Sequence, residues 1–127
     1  MILTIHDPIY VQDVVVAIAE PRTSSIIRAV VKAGYSVPEW DDSLELKDGS
    51  RGRTVLDPDS GAVVIRLKRL RRGNTGDLSL LVHECVHAAT MLFGRIGFPI
   101  RPKMDEPLAY QVAFYVRSVL EAVGKRR

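Results

Sequence analysis

Asp-Leu-Ser-Leu-Leu-Val-His-Glu-Cys-Val-His-Ala-Ala-Thr-Met-Leu-Phe, residues 77–93, is the stretch on which the reading of this chain turns. At its centre stands His83-Glu84-Cys85-Val86-His87. Four residues advance an α-helix by about 400° and about 6 Å, so two imidazoles at this spacing share a face and can converge on one Zn²⁺. Glu84, three residues before His87, borders that face, where a carboxylate can act as general base on a metal-bound water. On a helical wheel Ser79, His83, His87 and Thr90 fall together, with Leu78, Leu81, Cys85, Ala88, Ala89 and Leu92 opposite. A helix apolar over most of its circumference is expected to be central and buried, and buried histidines need a partner. Cys85 lies about 200° from His83 and reads as a small core residue.

Working outward, residues 53–56 and 62–68 flank Asp57-Pro58-Asp59-Ser60-Gly61, a turn composition with glycine at a positive-φ position, so a β-hairpin precedes the helix. In its second strand Val63, Ile65 and Leu67 alternate with Val64, Arg66 and Lys68, a pattern that suits a sheet edge. An edge beside a metal can pair with an extended peptide; charges on it can equally serve to block aggregation. Residues 2–5 and 11–19 read as short strands around Asp7-Pro8. A helix follows, with Ser24 and Ser25 as candidate caps, Ile26, Ile27, Val30 and Val31 as its apolar stripe and Gly34 as its stop. Residues 35–53 read mostly as loop, with one short strand at 44–47. Together these predict an α+β domain: a small antiparallel or mixed sheet with about three helices.

The chain is 127 residues long, 46% hydrophobic and 26% charged, which fits one soluble domain with one core. Within it, residues 1–53 supply the N-terminal strands, helix and loop, 54–124 the hairpin and two helices, and 125–127 a basic tail. No apolar run approaches the roughly 18 residues of a membrane span, and no leader pattern is present, so a cytoplasmic protein with no membrane partner is expected. One cysteine excludes an internal disulfide.

Catalytic zinc usually takes three protein ligands. His6, beside a turn, is the only histidine outside the motif, so a downstream carboxylate is the stronger candidate. Asp105-Glu106-Pro107-Leu108-Ala109-Tyr110 opens the last helix, with Asp105 as N-cap and Pro107 in the first turn. Glu106 is the chosen ligand and Asp105 its competitor; the alternative for Glu106 is a residue stabilising the helix dipole. Tyr110, Ala113 and Arg117 share its face, and Ala109 and Ala113 are small enough to let this helix approach the histidine helix. Tyr110 is a candidate donor to a tetrahedral intermediate, or an aromatic packed between helices.

These residues resemble the zincin metallopeptidases with a glutamate third ligand, and residues 81–89 with 105–110 look most like small phage or prophage proteins and IrrE-like ones. The resemblance covers roughly residues 54–123. It implies a minimal zincin-like fold, Zn²⁺ held by His83, His87 and Glu106, Glu84 as catalytic base, a peptide or protein substrate, and, for a phage protein, the host cytoplasm. The stretch between His87 and Glu106 is shorter than in large members, and no separate subdomain forms a long cleft.

Two other readings compete. Arg66, Lys68, Arg69, Arg71 and Arg72, with Lys125, Arg126 and Arg127, form a basic patch in a chain of pI about 9.2 that suits nucleic acid or an acidic protein. The net charge of only +3 and the lack of a helix-turn-helix or stacking platform make a solvated loop the default. Alternatively zinc is a structural staple in a non-catalytic binding module, which has no need of Glu84.

Overall fold

Two β-branched runs joined by Asp-Pro turns build the sheet of the computed structural model, which describes residues 1–36, 43–47, 49–99 and 101–125. Strands β1 (Ile2–His6) and β2 (Asp13–Ile18) lead into helix α1 (Thr23–Lys32), and β3 (Gly52–Leu56) and β4 (Val63–Leu67) lead into α2 (Thr75–Ile96). A 3₁₀ turn (Pro102–Met104) precedes α3 (Asp105–Lys125). The sheet is mixed, in the order β1-β2-β4-β3: β2 and β4 run parallel in the middle, each with an antiparallel partner outside it. This is the expected α+β architecture, with three α-helices among the described residues.

Both faces of the sheet are covered. Val14, Val16, Val63, Ile65 and Leu67 pack beneath α2 and α3 with Leu81, Cys85, Ala88, Tyr115 and Val119. Val15, Ala17 and Val64 pack beneath α1 with Ile26, Val30 and Leu44. Hence β4 is not the edge its alternation suggested: all five residues are buried, and β3 is the edge on that side. Arg66, expected at a charged outer face, is 5% exposed. Its guanidinium donates to Leu44 O (2.8 Å), Glu20 O (2.9 Å) and Thr23 Oγ1 (3.1 Å), binding the loop and α1 to the sheet.

The two halves of the sheet repeat one another. Thr4-Ile5-His6-Asp7-Pro8 recurs fifty positions later as Thr54-Val55-Leu56-Asp57-Pro58. Each aspartate side chain accepts from the backbone N–H groups two and three residues on. Each turn closes on a residue of positive φ, Val11 at 53° and Gly61 at 80°. Gln12 donates to Gly61 O at 2.9 Å, joining the two turns. Equivalent residues occupy opposite faces: Val14 lies under α2 and α3, Val64 under α1. A half-turn about an axis along the central strands does this, and it places α1 and α2 on opposite sides.

Other expectations shift by small amounts. Helix α1 begins before Ser24 and Ser25, with no side-chain cap at Arg22, and Gly34 ends it at φ 99°. Residues 43–47 form turn and bend rather than a strand, although Leu44 is buried. Residues 37–42 and 48 of the expected loop lie outside the described residues. Helix α2 is longer at both ends than residues 77–93, because Asn74 Oδ1 accepts from Asp77 N (2.9 Å) and the chain continues to a left-handed Gly97. Asp105 is helical, at φ −75°, and is the first residue of α3 rather than its N-cap. No helix among the described residues is long and apolar enough to cross a membrane.

Candidate metal centre

Helix α2 lies beside the edge strand and comes close to the glycine that begins β3. A Cβ on Gly52 would stand 3.1 Å from both Leu80 Cδ2 and Leu67 Cδ2, so a larger residue there would force those side chains to give by a few tenths of an ångström. At the far end the Arg95 guanidinium rests against Gly61, where a Cβ would come within 2.2 Å of it. The helix thus meets the hairpin through Leu80 at one end and Arg95 at the other.

His83 and His87 sit on the solvent face of α2, not in the interior, and both are exposed. The reason is that the apolar stripe is narrower than the composition suggested: Val82 and Val86 are 38% and 42% exposed beside them. Solvated in this way, the imidazoles do not need a buried partner. They meet each other instead. The two Nε2 atoms are 3.1 Å apart, with ring centroids 4.7 Å apart and planes at 78°. Two bonds of about 2.0–2.1 Å to one tetrahedral zinc put such nitrogens roughly 3.3 Å apart. The pair fits that ion; without one, the contact is a hydrogen bond that needs one Nε2 protonated and the other bare.

Glu84, between the two histidines on the same turn, is 4% exposed. The Thr54 hydroxyl donates to its Oε2 and lies 3.1 Å from its backbone carbonyl. A buried carboxylate requires such a donor. Thr54 was not singled out from the sequence; its repeat relation to Thr4 was the available signal. Cys85, 0% exposed, is the expected core residue, and burial pushes its thiol up to about 12.

The third donor is less developed. Glu106 and Asp105 both stand exposed in the first turn of α3. Among the described residues no group of three or more His, Cys, Asp or Glu side chains is placed to hold a metal. Asp105, rather than Glu106, lines the groove between α2 and α3 with Val86, next to His87. Ala109 and Ala113 are exposed and line the same groove beside Val86, while Gln111, Tyr115, Val119 and Val123 form the inner face of α3. Tyr110 is 73% exposed, so it does not pack between helices. It makes no hydrogen bond or ring contact with the histidines among the described residues. His6 is on β1, the opposite edge of the sheet, 3.0 Å from Asp13 Oδ1.

The basic segment before α2 is partly neutralised from within. Besides buried Arg66, Arg71 reaches Asp77 at 2.8 Å and Arg69 lies at 4.0 Å from it. Lys68 and Arg72 are exposed, and Arg126 and Arg127 lie outside the described residues. The Arg71 side chain, followed by its backbone N–H, lowers the Asp77 carboxyl from 3.8 to about 2. A depressed carboxyl stabilises the fold above its unfolded value and loses that contribution as pH falls through its folded one. In thermal melts, Asp77→Asn is therefore expected to be less stable than the parent near neutrality. The gap should narrow below about pH 4 and close near pH 2. A gap independent of pH would count against the pairing.

No protein-family model, curated protein or solved structure matches the chain.

Proposed function

We propose that the chain is a zinc-dependent hydrolase that cleaves a peptide bond, with His83, His87 and Glu106 as metal ligands and Glu84 as general base. The observation that carries this reading is the convergence of His83 Nε2 and His87 Nε2 at 3.1 Å. When bound, zinc supplies a Lewis acid that polarises a carbonyl and acidifies a water. Glu84 takes the proton of the attacking water and returns it to the leaving nitrogen. Thr54 is a positioning residue: its hydroxyl fixes the Glu84 carboxylate against β3. The outer edge of β3 offers an extended substrate main-chain hydrogen bonds, which selects for an unfolded strand rather than a particular sequence. Tyr110, exposed on α3 one turn beyond Glu106, is the candidate donor to the tetrahedral intermediate.

Asp105 competes with Glu106 for the third position because it lines the groove beside Val86. The non-catalytic alternative, zinc tying α2 to α3 in a binding module that meets a protein or nucleic acid through its cations, leaves Glu84 only its hydrogen bond from Thr54. It is weakened further by the use of Arg66, Arg69 and Arg71 inside the fold. The reading is tested by incubating the zinc-loaded chain with an unstructured protein and identifying fragments by mass spectrometry. Fragments that appear with zinc and vanish with chelator are expected; none above background would overturn it.

A further inference from the structure

Thr4 and Thr54 occupy equivalent places in the two halves of the sheet, yet among the described residues only Thr54 of the two meets a carboxylate, that of Glu84 on α2. Thr4 faces α1, which has no acidic residue, and lines a groove of about 510 Å³ with Ile2, His6, Ala29 and Lys32. The geometry points to the β1 edge, flanked by α1, as a docking groove for an acidic extended segment of another protein. Such a segment adds as a fifth strand and sets a carboxylate against Thr4 and Lys32.

The backbone is ready for it. Ile18 N donates to Met1 O at 2.8 Å, which makes 1:18 a bonded pair and, by alternation, 3:16 and 5:14 as well. The N–H and C=O groups of Ile2, Thr4 and His6 therefore point away from β2. Natural sheets protect such an edge with lysine, proline or a bulge. Strand β1 has none of these, whereas β3 carries Arg53 at the place of Leu3.

Charge selects the occupant. Arg28 and Lys32, one turn apart and exposed on α1, take no ion pair among the described residues. Asp13, the carboxylate nearest His6, is engaged by that ring. A second copy of the chain would bring the same uncharged strand and the same cations, so like charges disfavour self-pairing. An acidic strand satisfies the edge, the hydroxyl and the amine together.

The test uses the whole chain and a fluorescein-labelled, capped peptide, Val-Thr-Val-Glu-Val-Thr, beside its glutamine analogue. Anisotropy is expected to show the glutamate peptide binding ~2–5-fold more tightly, with Lys32→Glu removing that preference, since water screens a contact to an exposed lysine. Thr4→Val is expected to weaken binding several-fold. Amide shifts in NMR spectra should concentrate on Ile2, Thr4, His6 and α1. Lys32 is an exposed helix residue, so folding is not at stake, and circular dichroism confirms it. Equal affinity for the two peptides, indifference to Lys32→Glu, or shifts confined to β3 or to the α2–α3 groove would overturn the proposal. So would a dimer formed through β1 that the peptide does not displace.

Discussion

Glu84→Gln is expected to leave the fold and bound zinc intact while turnover falls by ~10²–10⁴-fold, the range that a positioned general base contributes. The substitution is nearly isosteric, and the amide oxygen still accepts from the Thr54 hydroxyl, so the contact between α2 and β3 survives. What is lost is the ability of a buried carboxylate to take a proton. His83→Ala serves as the contrast, because it removes a ligand and should lose metal and turnover together. Fragment yield, zinc content and circular dichroism separate the two outcomes. Full turnover in Glu84→Gln would remove Glu84 from the chemistry.

The largest expected loss of stability comes from Phe93→Ala, by ~3–5 kcal/mol. Phe93 is 0% exposed near the end of α2. Its ring meets Tyr10 edge-on at 5.5 Å and Phe98 at 5.0 Å, so it fastens the β1–β2 turn and the exit from α2 to one point. A domain of this size has roughly 5–15 kcal/mol in all, so the variant should sit near the limit of folding. Urea denaturation measures the loss directly, and Phe93→Leu, which leaves a smaller void, should lose less. A loss below about 1 kcal/mol would mean the site collapses freely and that the aromatic cluster is not a fastening.

Secondary structure was legible where local chemistry dictates it. The Asp57–Gly61 turn was readable because aspartate captures the following N–H groups and glycine accepts positive φ. Gly34 stops α1 for the same conformational reason. Long-range order was not legible. The strand pattern of residues 63–67 suits an edge as well as a centre, because Arg66 can be buried once Leu44, Glu20 and Thr23 accept from it. Those partners are remote in sequence. The exposure of His83 and His87 depends on where α3 lies, which the α2 pattern does not contain. At the site, the spacing foretold that the imidazoles would converge, but not that Glu84 would turn to Thr54 thirty residues before it. The fifty-residue repeat was visible in principle, and it explains both the threonine and the two-sided sheet.

The central claim is that His83 and His87 hold a metal. Its most direct measurement is zinc content after dialysis, on the parent chain and on the His83→Ala/His87→Ala double variant, with thermal melts of both. One zinc per parent chain, none in the double variant, and a melting temperature that zinc raises only in the parent are expected, since a ligand that binds the folded state stabilises it. A parent chain that retains no zinc, or a double variant that binds it equally well, would contradict the claim.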